Sequence, residues 1–283
     1  MIQEDKMKRY HISLSVIALL VIAGAIVYAQ QAAADRATVP FSDPSKPGLV
    51  EASVYDGAIT VKGYNGKEVI VEAKLRGEKI QEKEKVSEKA KGMQRIAALR
   101  TGLVVEEENN VLEVHVSAHD NTVDLTIQVP FKTSLKLSSY DNGDIIVENV
   151  TGEIEVSNHE GNVILKKISG STVANSYDGE IIVAFDQIDP GKPMSFTSYD
   201  GDIDVTFPAT LKANVKMRTQ EGEIYSDFPV DIKAEQQKVQ DDRKKGGKYR
   251  ISFGEFIFGT INGGGSEFQF VTYDGDIYIR RSK

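Results

Sequence analysis

Three aspartates at alternating positions, Asp200, Asp202 and Asp204 in "YDGDIDV", are the residues in this sequence that most resemble a metal site. Calcium takes six to eight oxygen ligands, and the EF-hand loop begins with carboxylates at alternate positions. Here Gly201 separates the first two aspartates, and no glutamate follows at the twelfth position. On a strand, Asp202 and Asp204 point to one face, away from the apolar residues between them. We expect a solvated face, with a weak calcium site as the alternative.

A tyrosine followed by aspartate and glycine recurs along the chain, as in "SYDG" from Ser176 and again from Ser198. The five tyrosines of these copies are Tyr55, Tyr140, Tyr177, Tyr199 and Tyr273. We expect their rings to line up along one edge of the molecule. Stacked aromatic side chains on an exposed edge hold a sugar or a partner protein, or else cover the ends of an apolar column.

Other residue patterns argue against catalysis. The chain has no cysteine, which excludes thiolate chemistry and disulfides. It also lacks a Gly-x-Ser-x-Gly elbow and a phosphate-binding glycine loop. Paired carboxylates hydrolyse glycosides. A catalytic pair is expected to depart from the repeat, whereas the acidic residues of this chain recur in step with it. We expect that the protein is not an enzyme and binds no cofactor. The alternative is a polysaccharide-active β-helix enzyme.

The sequence pattern predicts that these residues lie on or next to short strands. From Val50 onward apolar residues alternate at period two, in runs bounded by glycine, asparagine and aspartate. The apolar residue after each turn glycine recurs about every nine residues, which is too short for a crossover helix. A β-solenoid with stacked parallel coils fits, as does an antiparallel meander or sandwich with Asp-Gly hairpin turns. The regular period favours the all-β solenoid.

Two charged stretches interrupt the strand pattern. Residues 77–99 carry Val86, Ala90, Met93 and Ala97 at helical spacing, which predicts one short helix. Residues 231–249 are charged and contain paired glycines, which indicates a long surface loop or an extended hairpin tip. We expect both to be insertions in a single β-repeat domain that spans residues 35–283.

The first 34 residues have the layout of a secretory signal peptide. Basic residues precede the apolar run from Ile12 to Val27, and small residues follow it, so cleavage is expected after Ala29 or Ala34. The alternative is an uncleaved anchor, although a full span needs about 20 apolar residues. We expect membrane contact only through this segment, and only if it is uncleaved. The net charge of −8 disfavours nucleic-acid binding.

Three groups of motifs carry a family resemblance: the repeated Asx-Gly-x-Ile-x-Val units, the block "GEIEV…GNVIL…SYDGEIIV" and the closing "INGGGSEFQFVTYDGDIYIRR". Over roughly Val50 to Arg281 the chain resembles a family of bacterial putative adhesin domains, also called a domain of unknown function with β-strand repeats. It is similar to the head domain of putative auto-transporter adhesins. The resemblance implies a repetitive β fold outside the cytoplasm, in the periplasm or at the cell surface, with links to envelope-stress responses.

These observations together predict an exported, non-catalytic β-repeat protein of the bacterial cell envelope, acting as a binding or structural module. Its partner would be an envelope glycan or a surface protein. A further alternative is an envelope-stress signalling accessory, which would need a protein partner.

Overall fold

A computed structural model describes residues 34–77, 101–117, 121–233, 238–241, 249–252 and 256–283. Residues Asp35–Lys283 form one compact unit. Every regular element among the described residues is a β-strand. The expected short helix and signal segment lie outside the described residues, apart from their boundary residues 77 and 34. None of the described residues form a helix with the length and apolar character needed to cross a membrane.

The strands in chain order are β1 (Asp35–Pro40), β2 (Gly48–Asp56), β3 (Ile59–Tyr64), β4 (Glu68–Leu75), β5 (Leu103–Glu108), β6 (Val111–Val116), β7 (Val123–Pro130), β8 (Thr133–Asp141), β9 (Ile145–Glu148), β10 (Thr151–Glu160), β11 (Val163–Asp178), β12 (Ile181–Ile188), β13 (Met194–Asp200), β14 (Ile203–Phe207), β15 (Ala213–Arg218), β16 (Ile224–Ser226), β17 (Val230–Lys233), β18 (Lys238–Asp241), β19 (Tyr249–Ser252), β20 (Ile257–Ile261), β21 (Ser266–Val271) and β22 (Ile277–Arg281).

Hydrogen bonding arranges twenty of these strands in two rows that are joined through the long strand β11. Row 1 runs β5-β6-β2-β8-β10-β11-β13-β21-β15-β20-β17. Row 2 runs β1-β4-β7-β3-β9-β11-β12-β14-β22-β16. Alternate residues of both rows are buried in one hydrophobic core, because side chains on a strand point to opposite faces in turn.

The central pairings are parallel, which confirms the β-solenoid and rules out the antiparallel meander. A coil is one row-1 strand followed by one row-2 strand. Val163 pairs with Ile145 on one side and Ile181 on the other, so each coil has an apolar residue at the same position as the neighbouring coil. The Asp-Gly pairs form the corners between the rows. At such a corner only the glycine has positive φ, +142° at Gly179, whereas a type I′ hairpin needs positive φ at both positions.

The coils do not stack in chain order at either end. Coil β6–β7 lies outside coil β2–β3, so Ile59 pairs directly with Ile145 from much later in the chain. At the other end, the last coil β21–β22 lies between coils β13–β14 and β15–β16. Ile203 therefore pairs with Ile277, and Ile224 pairs with the far side of Ile277.

A separate pairing joins part of the charged segment 231–249 to the residues that follow it. Strands β18 and β19 run antiparallel, with Lys238 opposite Ser252 and Asp241 opposite Tyr249. This two-stranded piece forms no ladder with either row of the solenoid.

Candidate functional site

The row-1 strands end at a corner whose first residue points inward. Ser198, at the end of β13, is buried, and its hydroxyl donates a hydrogen bond to the carbonyl oxygen of Gly179 in the neighbouring coil (3.2 Å). Ser139 does the same to Gly57 (2.8 Å). An unpaired carbonyl in this position would be costly, since buried polar groups need partners. The serine of each "SYDG" copy therefore closes the corner and points the next side chain outward.

That next side chain is aromatic in six consecutive coils. We call this set the aromatic ladder; it consists of Tyr55, Tyr140, His159, Tyr177, Tyr199 and Tyr273. Successive ring centroids are 4.4–5.2 Å apart, and the planes differ by 2–22°. Neighbouring strands lie roughly 4.8 Å apart, so equivalent rings of adjacent coils must stack face to face. The structure thus brings together all five tyrosines singled out in the sequence.

The ladder exposes ring edges rather than ring faces. Its tyrosines are 38–55% exposed, yet each inner ring has a neighbour against both faces. Among the described residues, the two end rings, Tyr55 and Tyr273, each have a ladder ring against one face alone. A sugar stacked on an inner ring, as the sequence suggested, has no face to occupy. What the ladder offers along its length is a row of ring edges and phenol hydroxyls.

His159 is the member of the ladder that sequence reasoning missed. Its ring lies 4.4 Å from that of Tyr140 and 4.9 Å from that of Tyr177. The signal was present, because "NHEG" occupies the place of "SYDG" in the "EIEVSNHEG" unit. Its Nδ1 is shielded from solvent and has no hydrogen-bond partner within the described part of the chain.

The residue after each ring is acidic and forms a second row, the acid column: Asp56, Asp141, Glu160, Asp178, Asp200 and Asp274. The strand register places its members directly opposite one another in adjacent coils; for example, Asp178 pairs with Glu160 on one side and Asp200 on the other. Asp200 is in turn bridged to Asp274. Contact with the Asp141 carboxylate, followed by its charge, raises the pKa of Glu160 above its ordinary value. The column therefore concentrates like charge beside the aromatic ladder.

The three aspartates considered for calcium have separate surroundings. Asp202 Oδ1 accepts a hydrogen bond from the backbone N–H of Asp276 (2.7 Å). Asp204 binds the Nε of Arg280 through both carboxylate oxygens, at 2.7 and 2.8 Å. Asp200 belongs to the acid column. In the described ranges, no group of three or more histidine, aspartate or glutamate side chains is arranged to hold a metal ion.

A second aromatic pair lies off the aromatic ladder. Tyr225 and Tyr278 stack with centroids 5.3 Å apart on row 2, and their hydroxyls donate to Glu223 and Asp276. The hydrogen bond to Asp276 raises the pKa of Tyr278 to about 12. Tyr225 is 47% exposed, similar to Tyr199, which makes it a matched control for the ladder.

Two solved bacterial structures are similar to this chain over most of its length. The chain is similar to a crystal structure of a putative cell adhesion protein from Clostridium sporogenes ATCC 15579, with 12% identity and a TM-score of 0.42, over 88% of this chain and 100% of that one. It is also similar to a putative adhesin from Bacteroides fragilis NCTC 9343, with 10% identity and a TM-score of 0.30, over 89% and 98% of the two chains. No curated protein matches the chain.

A family model matches far more of the chain than a single motif would. The model described as Toastrack DUF4097 matches residues 50–252, which is most of the chain. The match runs from coil β2–β3 to coil β15–β16 and ends before the C-terminal coil β21–β22. The protein therefore belongs to the Toastrack DUF4097 family.

Proposed function

We propose that this chain is an exported, non-catalytic β-solenoid of the bacterial cell envelope that binds a partner along the aromatic ladder. The observation that carries this proposal is the ladder itself, in which five tyrosines about half exposed and one histidine follow each other across six coils. A contiguous exposed aromatic surface on a soluble domain is typical of an interaction site.

The mechanism is repeated contact along a line. Each coil presents a nearly identical ring edge, at intervals of 4.4–5.2 Å. A linear partner with a similar repeat makes the same weak contact several times, and linked weak contacts add to a much stronger one. The acids of the corners follow the repeat instead of forming one singular cluster, which supports binding over catalysis.

The binding proposal is tested by removing one ring. Fluorescently labelled protein is titrated against a glycan array and against isolated bacterial envelopes. We expect Tyr199→Ala to weaken saturable binding about tenfold, since it breaks the ladder between Tyr177 and Tyr273. Tyr225→Ala, which removes an equally exposed tyrosine off the ladder, should leave binding unchanged. Equal affinity of the wild type and Tyr199→Ala would contradict the proposal.

Export is tested separately, by sequencing the N-terminus of the protein recovered from the extracytoplasmic fraction. We expect the mature chain to begin between Gln30 and Asp35, as the small residues after the apolar run predict. Recovery of the protein only from the cytoplasm, with Met1 retained, would contradict export and leave the binding proposal to its own test.

A further inference from the structure

The aromatic ladder and the acid column form one continuous surface, because every ring is followed in the chain by its acid. Each coil thus contributes an apolar ring edge next to a carboxylate. The pattern is the same from Tyr55–Asp56 at one end to Tyr273–Asp274 at the other.

The acid column differs from several other acids that lie across neighbouring coils. Some of those acids have basic partners, as in Glu51 with Lys136, Glu148 with Lys62 and Asp204 with Arg280. Among the described residues, no lysine or arginine forms a salt bridge with any member of the acid column. Like charges directly opposite one another destabilise a sheet. This unfavourable row lies directly beside the exposed aromatic surface.

This charge pattern restricts what the surface can bind. A second copy of the chain, docked ladder to ladder, would place one acid column against another, and the chain already carries a net charge of −8. A neutral glycan could use the phenol hydroxyls but would leave the carboxylates without partners. A partner with positive charges along a line neutralises them.

The distance between successive coils further restricts the kind of positively charged partner that fits. Two amines joined by three methylenes are separated by four bonds of about 1.5 Å at near-tetrahedral angles, which is about 5 Å when extended. The rings, and with them the corners of successive coils, repeat every 4.4–5.2 Å. Methylene stems lie well against apolar surface while their charged groups stay at its margin.

We propose that the aromatic ladder and the acid column together bind linear aliphatic polyamines, with one ammonium group against the carboxylate of each coil and the methylenes along the ring edges. This inference rests on the proposed function, since it names the ligand class of the same face. The interaction is electrostatic in large part and is expected to weaken as salt shortens the screening length to about 8 Å at physiological ionic strength.

The spacing is tested with tetraamines of equal charge. The full chain is titrated calorimetrically, at low salt, with a linear tetraamine that has three-carbon spacers and with one that has six-carbon spacers. We expect the three-carbon compound to bind at least fivefold more tightly, because only it matches one amine to each coil. Equal affinities would show attraction of counterions without register and would overturn the proposal.

Variants of matched charge locate the site. Asp178→Asn with Asp200→Asn should weaken the three-carbon tetraamine at least tenfold. Asp186→Asn with Glu267→Gln removes two exposed acids outside the acid column and should leave the affinity within twofold. Equal losses in the two double variants would overturn the proposal. Circular dichroism melting of each variant confirms that it is folded before titration.

The ring contribution distinguishes this inference from the proposed function. Tyr199→Ala, which keeps every charge, should weaken tetraamine binding several-fold, whereas Tyr225→Ala should not. If Tyr199→Ala abolishes envelope binding but the wild type shows no affinity for the three-carbon tetraamine, the proposed function stands and the polyamine inference is wrong. If neither ligand depends on Tyr199, both are wrong.

Discussion

At the scale of the residue, the four positions of "SYDG" have four different tasks, which the copy at Ser198 to Gly201 shows. Ser198 points inward and bonds the neighbouring corner, and Tyr199 stacks outward between two rings. Asp200 joins the acid column. Gly201 turns the chain. Only the tyrosine and the aspartate are free to act on a ligand, whereas the serine and the glycine are needed to build the corner.

The glycine of this corner is the residue whose replacement should cost most. Gly201 has φ +140°, and a Cβ at this position would come within 2.5 Å of the Gly179 carbonyl oxygen. We expect Gly201→Ala to lower the free energy of unfolding by about 1–3 kcal/mol or more, from backbone strain plus overlap. Urea denaturation monitored by circular dichroism measures the loss.

Gly191→Ala is the matched control for this prediction. Nothing lies within 4 Å of a Cβ built at Gly191, and its φ needs no glycine. We expect no loss of stability at this position, or a small gain from the stiffer unfolded chain. A Gly201→Ala protein as stable as the Gly191→Ala protein would show that the corner tolerates a side chain.

At the scale of the element, parallel pairing in register aligns equivalent residues of neighbouring strands in a row. Strands β8, β10, β11 and β13 place the same position of each corner directly above the last, so their rings stack and their acids align. Stacking of aromatic rings contributes about 0.5–1.5 kcal/mol a pair, whereas aligned like charges oppose it. The same register therefore produces both a favourable and an unfavourable row.

The unfavourable row predicts a pH effect at Glu160. Its pKa is raised above the ordinary 4.5, first by contact with the Asp141 carboxyl and then by that residue's charge. The folded protein thus holds the Glu160 proton more tightly than the unfolded chain does. This contribution to stability is fully present below the unfolded pKa and is lost as the pH rises through the higher folded pKa.

Replacing the carboxyl by an amide should remove that loss. We expect Glu160→Gln to melt at a higher temperature than the wild type near pH 7, with the difference closing as the pH falls below 4.5. Melting curves of both proteins between pH 4 and pH 7 measure it. A difference that does not change with pH would mean that Glu160 titrates alike in the folded and unfolded chains.

At the scale of the whole molecule, the inserted coil β21–β22 places the C-terminal strand inside the stack and not at its end. The C-terminal strand β22 has β14 on one side and β16 on the other. The rings of Phe268 and Phe270 on β21 stack against Phe207 (5.5 Å) and Phe196 (5.2 Å) in the core. The last residues of the chain are consequently among the better supported ones.

Hydrogen exchange should detect this support directly. Chain ends usually exchange quickly because they fray. We expect amides of β21 and β22 to be protected as strongly as those of the central strands β12 and β13. Strand β17, whose one partner among the described strands is β20, should exchange much faster and serves as the internal control. Rapid exchange of β22, at the rate of β17, would contradict the inserted arrangement.

Much of the fold followed from local pattern. Alternation at period two predicts strands because their side chains alternate between core and solvent, and the near-constant unit length predicts a solenoid because stacked coils need equal lengths. The recurrence of a tyrosine at one place in the repeat also predicted a row of rings. His159 was not predicted, because it shares the position of the tyrosines in the repeat but not their residue type.

The sequence by itself determined the strands, the corners and the row of tyrosines, since each depends on residues close together in the chain. Only the tertiary structure decided which coils are neighbours, that the rings present edges and not faces, and that no salt bridge joins the acids beside them to a lysine or arginine within the described residues. These features depend on pairings such as Ile59 with Ile145 and Ile203 with Ile277. Hydrogen bonds between distant strands select such pairings from many coils of similar pattern, so no local spacing encodes them.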